Sequence, residues 1–299
     1  ARNRIYFKDV GPQNRKKLVD NIIIQMANEG LATHSVIFNK DEIIVEISQN
    51  RFRSTISAVD IANRILAYNA PINIKYLTVN NLDFGMTNFS STIERDKLVN
   101  IVANGPLKVD EIYINDNQTI YQTSDYYENP YMYPHYEWSV RPTVRSVLGG
   151  PDGFLLWQAQ AKLHTIVSFR KGLYLETELH QKIKDNFDKW TLPSDSDIQH
   201  VRTDMRLFWK TGNLTLARMQ LDYLFQFSPT ITGRVSAGYL EEMFGAVGGE
   251  MLYYDPDKRW AFGINAYKAR QRAFRQKFEF QDYEVLTGHA TFYYQLPFY

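Results

Sequence analysis

Hydrophobic positions fall into two regimes along the chain. Up to about residue 100 they recur every three to four residues, broken by short alternating runs. From Trp138 onward long runs alternate with polar positions, separated by polar turns. Residues 18–27 predict a helix, because Leu18, Ile22 and Met26 lie four apart, as do Val19, Ile23 and Ala27. Gly30 is a natural stop. Two short strands follow around a turn at Asn39-Lys40-Asp41, the second carrying Ile43, Val45 and Ile47. The pattern then repeats. Ala58, Ile61 and Ile65 define a second helix that Asn69-Ala70-Pro71 ends. Ile72, Ile74 and Tyr76 predict a strand, Asn80-Asn81 a turn, and Leu82, Phe84 and Met86 its partner. Ser91-Thr92-Ile93-Glu94 reads as a capping box opening a third helix, closed by Gly105-Pro106. The expectation is an α+β module of two tandem helix–strand–strand units over residues 1–120, with neither a phosphate loop nor paired acids at a strand end.

Residues 121–137 hold a dense run of tyrosines with Pro130 and Pro134, which oppose a long helix or a central strand and predict an ordered linker. From 138 to 299 long antiparallel strands are expected. Ala217, Met219, Leu221, Tyr223 and Phe225 oppose Arg218, Gln220 and Asp222. Val201, Thr203, Met205, Leu207 and Trp209 are expected to form the other arm of a hairpin turning at Lys210-Thr211-Gly212-Asn213. Residues 166–179 read as one strand, with Val167, Leu175 and Leu179 opposite Glu176 and Glu178. Residues 182–199 read as a long polar loop, and residues 260–267 and 286–294 as further strands. Several of these runs exceed ten residues. Strands of ordinary globular proteins have about five or six, whereas an outer-membrane barrel strand needs ~9–11 within the apolar band. A soluble β-sandwich also alternates, but strand length and ring-rich strand ends favour the barrel.

Composition narrows the picture. The 299 residues carry 34 Lys+Arg and 33 Asp+Glu, a net charge of +1, which gives no global electrostatic argument for nucleic acid. Cysteine is absent, which removes disulfides, thiol catalysis and Cys-based metal sites. Twenty Tyr, 18 Phe and 5 Trp make the chain ring-rich. No helical stretch approaches the ~20 apolar residues of a spanning helix, and Ala1-Arg2-Asn3-Arg4 opens no apolar leader.

Candidate chemistry is sparse. Glu176, Glu178, Arg202, Asp204, Arg206, Arg218, Asp222 and Arg234 share one strand parity, and facing strands would set acids beside bases in a barrel lumen. Glu241, Glu242 and Glu250 flank Gly245, Gly248 and Gly249. Read on a strand, Glu241 and Glu242 point to opposite faces, and the glycines serve a tight turn. The basic run from Lys268 to Lys277 reads as a solvated strand end, or as a contact for an acidic glycan or lipid phosphate. None of His34, His135, His164, His180, His200 and His289 has the spacing of a helical metal pair. His289 and Ser236 share a parity, but no third member of a triad presents itself. No metal and no cofactor are expected.

Two motifs carry a resemblance. Gly238, Tyr239, Leu240, Glu241, Met243, Phe244, Gly245, Gly248 and Glu250 spell G-Y-L-E-x-M-F-G-x-x-G-x-E. Asp282, Tyr283, Val285, Thr287, Gly288 and His289 spell D-Y-x-V-x-T-G-H. With Gly149-Gly150-Pro151 and the α+β segment ahead of the strands, the chain resembles the YjbH/GfcD family of outer-membrane proteins. The resemblance implies a non-enzymatic β-barrel assisting secretion or assembly of an exopolysaccharide or capsule. It implies periplasmic and lipoprotein partners, outer-membrane lipid, contact with polysaccharide, a periplasmic N-terminal module, and a longer parent protein. The alternatives are a secreted carbohydrate-binding β-sandwich with rings as stacking platforms, and a barrel hydrolase acting on lipid or glycan.

Overall fold

The computed structural model describes residues 12–102, 113–114, 125–193, 198, 201–255 and 257–296. The chain divides into two compact units, residues 1–133 and 134–299.

The first unit runs α1 (Pro12–Asn28), β1 (Ala32–Asn39), β2 (Glu42–Ser48), α2 (Thr55–Asn69), β3 (Tyr76–Asp83), β4 (Met86–Glu94), α3 (Arg95–Val102), β5 (Tyr113–Ile114) and β6 (Tyr126–Glu128). Its six-stranded sheet has the order β5-β4-β3-β2-β1-β6. Each helix–strand–strand unit forms one antiparallel hairpin, and β2 pairs with β3 in parallel. A parallel neighbour needs a crossover, and α2 supplies it. Val19, Ile22 and Met26 of α1 and Val59, Ala62 and Leu66 of α2 cover Val36, Val45, Ile47, Leu77 and Val79 in one apolar core. Arg95 is buried and ties down the end of the second helix: its guanidinium donates to the Ala67 carbonyl, an orphan of the last turn of α2, and to the Ala70 and Pro71 carbonyls just beyond it, at 2.7–2.9 Å.

Two local expectations, the Asn80-Asn81 turn and the capping box, fail here. Asn80-Asn81 is not a turn; the chain reverses four residues later at Phe84-Gly85, where both residues are left-handed (φ 47° and 82°). The asparagines sit in the ladder, bonded across it to Ser90 and Asn88. Ser91 to Glu94 lie in β4, so the capping box is strand and α3 begins at Arg95. Its expected end, Gly105-Pro106, lies outside the described residues. Part of the Tyr/Pro-rich segment belongs to this sheet, since β6 pairs with β1 and Tyr133 is held by His34 at 2.7 Å.

The second unit is an eight-stranded antiparallel sheet in strict chain order: β7 (His135–Gly150), β8 (Gly153–Arg170), β9 (Leu173–Asp185), β10 (Leu214–Ser228), β11 (Ile231–Tyr239), β12 (Phe244–Tyr254), β13 (Trp260–Arg272) and β14 (Phe280–Tyr294). The strands hold 9 to 18 residues. The sheet does not close into a barrel: β7 and β14 are its two edges among the described residues.

Residues 166–179 are two strands, not one, reversing at Lys171-Gly172. The two-residue turn sets Arg170 opposite Leu173 and by itself would swap parity, but a one-residue register shift between Ser168 and Arg170 restores it; Val167 lies opposite Leu175 on one face and Ser168 opposite Tyr174 on the other. Residues 201–209 are not a strand. They are a turn and the short helix α4 (Met205–Lys210), so the partners of β10 are β9 and β11. The same residues carry a helical spacing, Met205 with Phe208 and Trp209, and burial of Phe208 against Met243, Phe244 and Ala269 selects it. Lys182 to Asp185 of the expected polar loop belong to β9, and Gly245, Gly248 and Gly249 lie inside β12 rather than in a turn.

Leu66→Ala is expected to cost the first unit about 2–5 kcal/mol, while Ile24→Ala on the exposed side of α1 stays within about 0.5 kcal/mol. Hydrogen exchange of the α2 and β2 amides measures both, and equal effects would contradict this packing.

Candidate functional site

The two faces of the eight-stranded sheet have opposite chemistry, and burial is inverted between them. One face carries Trp138, Val140, Val144 and Leu148 of β7, Leu221 of β10, Val235 of β11, Ile264 of β13 and Leu286 of β14, all exposed; Trp138 is 74% and Leu286 79% accessible. The other carries Gln158, Gln160, Gln220, Asp222 and Ser236, all buried, with Asp222 and Ser236 at 1%. Charged and amide groups thus form the interior, and aliphatic and aromatic groups form the outside.

Rings collect at one end of the sheet. Tyr136 and Trp138 open β7, Phe169 lies at the end of β8, and Tyr223, Phe225 and Phe227 end β10. Tyr253 and Tyr254 end β12, Trp260 and Phe262 open β13, and Phe292, Tyr293 and Tyr294 end β14. In an antiparallel meander these positions share an end. Tyr253, Trp260 and Phe292 stack in sequence at 5.1 and 6.3 Å. The connections at this end are short, 171–172, 229–230 and 255–259. The long connection, residues 186–213, is at the other end, and the chain enters β7 at the ring end.

The long-connection end holds the site, an open hollow of about 710 Å³ on the polar face. Glu242, in the turn between β11 and β12, is its centre. It accepts from both terminal nitrogens of Arg145 at 2.7 and 2.9 Å and from the Trp209 indole at 2.9 Å, and it lies 3.2 Å from His180 Nδ1. His180 Nε2 meets Glu178 at 2.5 Å, and Lys162 meets the other Glu178 oxygen at 2.5 Å. Glu176 pairs with His164 at 2.9 Å and Arg218 at 3.0 Å. Burial by itself would raise the Glu242 carboxyl, but the His180 hydrogen bond and the Arg145 charge outweigh it and hold the group at about 2. In a flat sheet β7 and β11 stand four spacings apart, about 19 Å. The Arg145–Glu242 bond therefore means that sheet and turn close in over the polar face.

Glu176, Glu178, Arg218, Asp222 and Arg234 lie on that face. Arg234 pairs with Glu250 at 2.7 Å, and Asp222 accepts from Gln220 at 2.8 Å and from Ser236. Arg202, Asp204 and Arg206 do not share the strand parity, because they belong to the turn and α4. Arg202 pairs with Glu241 at 2.6 Å, Asp204 accepts from Gln271, and Arg206 donates to the Trp190 carbonyl. Glu241 and Glu242 are in a turn, not on a strand, and both line the hollow. Ser236 and His289 are separated by β12 and β13 and engaged elsewhere, His289 with Asn265 at 3.2 Å, so they form no pair.

In the glycine motif, Gly238 has φ 131°, and a Cβ there would meet the Met219 carbonyl; Gly248 makes room for the Tyr267 ring. Tyr239 packs on Phe280 and under the Arg272 guanidinium, the Leu240 carbonyl accepts from Arg218, and Met243 and Phe244 are core to α4. Phe280 lies where a Cβ of Gly245 would point. In the β14 motif, Asp282 pairs with Arg270, Tyr283 packs edge-on against Phe244, and Thr287 and Gly288 pair with Tyr267 and Ala266. Sequence reasoning missed Arg145, Lys162, Gln160, His180 and Trp209. For the first four the signal was present: Arg141, Thr143 and Arg145 alternate with Val140, Pro142 and Val144, and His180 continues the Glu176, Glu178 series. No group of His, Asp and Glu able to hold a metal occurs among the described residues.

Glu242→Ala is expected to cost about 3–5 kcal/mol, because it strands Arg145 without its counter-charge. Glu241→Ala removes a more exposed pair and is expected to cost at most about 1 kcal/mol. Denaturant resistance of the β unit measures both. With its pKa lowered from 4.5 to about 2, Glu242 contributes in full above pH 4.5 and loses its contribution as pH falls from there to about 2. A Glu242→Gln protein is expected to lose this part of the acid sensitivity.

A family model described as "YjbH: Exopolysaccharide biosynthesis protein YbjH" matches residues 6–299. An uncharacterized lipoprotein YjbH of Escherichia coli (strain K12) is 27% identical over 278 residues, which are 91% of this chain and 40% of the relative. The chain thus spans less than half the length of that relative. No solved structure matches. With the model covering nearly every residue, both motifs included, the chain belongs to the YjbH exopolysaccharide biosynthesis family.

Proposed function

We propose that the eight-stranded sheet is part of the wall of an outer-membrane β-barrel that assists secretion or assembly of an exopolysaccharide or capsule, without catalysis, with the N-terminal unit in the periplasm. The inverted burial carries the reading. Water does not favour a sheet that exposes its aliphatic face and buries its carboxylates. Lipid outside and a polar lumen inside favour that arrangement. Strands of up to 18 residues exceed what the apolar band requires. The ring-rich end with short turns has the character of the periplasmic boundary, and it is the end at which the chain enters β7. The edges of β7 and β14 need further strands, since unpaired backbone groups are not tolerated in lipid. The partners on this reading are outer-membrane lipid, the polysaccharide, and periplasmic and lipoprotein components of an export system; the lipoprotein name of the Escherichia coli relative agrees with an envelope location.

A carbohydrate-binding sandwich would bury the apolar face against a second sheet, and that face is open here. Trp209 is no stacking platform either, with Phe187 stacked on it at 6.0 Å and Arg145 over its ring at 4.9 Å.

Val235 is the midpoint of β11 on the apolar face. Val235→Arg in the longest native form is expected to cost about 2–4 kcal/mol and to reduce recovery in outer membranes. Thr232→Arg, on the polar face, is expected to be tolerated. If Val235→Arg behaves like an ordinary exposed substitution, within about 0.5 kcal/mol, the lipid-facing assignment is wrong.

A further inference from the structure

On the barrel reading, we propose that the connection between β9 and β10 is an inward-folded constriction that closes one mouth of the polar interior, with Glu242 as its latch. The described parts of this connection, residues 186–193 and 201–213, do not project away from the sheet. Phe187 and Phe208 are fully buried, and α4 stands on the polar face, the side otherwise lined by charges and amides. Polar-face groups from both sides reach it. Gln158 of β8 donates to the Trp209 carbonyl at 3.2 Å, and Gln271 of β13 donates to Asp204 at 3.1 Å. Gln276, after β13, donates to the Phe208 carbonyl at 2.7 Å. A six-residue helix about 9 Å long is thus bound by strands five positions apart in the sheet. It crosses the interior rather than lying along its rim.

Two features hold it there. One is apolar: Phe208 packs on Met243, Phe244, Ala269 and Phe274, with the Phe208 and Phe274 rings 5.1 Å apart. The other is electrostatic. The Trp209 indole donates to Glu242, and the Arg145 guanidinium, held by the same carboxylate, lies over the indole ring. The hollow of about 710 Å³ lies on the polar face beside α4. Removing the carboxylate takes the acceptor from Trp209 and the counter-ion from Arg145 together, so a single substitution releases the whole electrostatic hold and leaves the apolar one. Narrowing of a pore by side chains and a folded-in segment is a general way of setting what passes.

The test uses the full-length protein extracted from outer membranes and reconstituted in planar lipid bilayers. Wild type, Glu242→Ala and Trp209→Phe are compared, each also examined for migration on a gel with and without boiling. The expected result is small conductance steps for wild type, steps several-fold larger for Glu242→Ala, and an intermediate value for Trp209→Phe, all with the heat-sensitive band retained. Conductance of both variants equal to wild type, with that band retained, overturns the constriction and leaves the barrel standing. If Glu242→Ala does not reach the membrane, Trp209→Phe decides, since it deletes one N–H donor and keeps a ring. A wild type that neither inserts nor shifts on boiling overturns the barrel reading and the constriction with it.

Discussion

A buried charge needs a counter-charge, and the second half of this chain is organised around that requirement. Removing a carboxylate from water costs several kcal/mol unless hydrogen bonds and opposite charge replace the solvent. Glu242 receives Arg145, His180 and Trp209; Glu178 receives Lys162 and His180; Glu176 receives His164 and Arg218. These bonds join β7, β8, β9, β10, α4 and the β11–β12 turn, so the lattice that neutralises the interior also draws the sheet around it. The aliphatic face is left outward, and that exposure is what the proposed lipid surrounding would satisfy.

The first unit obeys the ordinary rule, and the contrast is informative. Its helices cover an aliphatic sheet face, its core cluster is apolar, and its buried Arg95 has three backbone carbonyls to serve as acceptors. One chain therefore contains two sheets, one packed for water and one packed the other way round. The proposed function, with one part in an aqueous space and another in a bilayer, matches that division of chemistry.

Much of this was legible in the sequence. Period-two alternation named the faces of β10, β13 and β14, and parity survived even where residues 166–179 proved to be two strands, because a one-residue register shift beside the turn restores it. The repeat of helix, strand and strand was visible as a repeat of period. The failures share a cause: a local signal with two readings, decided by distant partners. Residues 201–209 alternate and also carry a helical spacing, and Phe244 and Ala269, far along the chain, choose the helix. Ser91 to Glu94 match a capping box, yet pairing with β3 makes them strand. The site was half legible. Acids and bases of one parity were readable, but their centre, Glu242, sits in a turn outside the alternation, and its partner Arg145 is 97 residues away.

The central claim is that the second unit resides in the outer membrane with its apolar face in lipid. The most direct measurement expresses the longest native form with its export signal, fractionates the envelope, and compares migration on a gel before and after boiling. Recovery in the outer membrane with a band that shifts on boiling is the predicted result. Recovery from the soluble periplasmic fraction with no shift would contradict it.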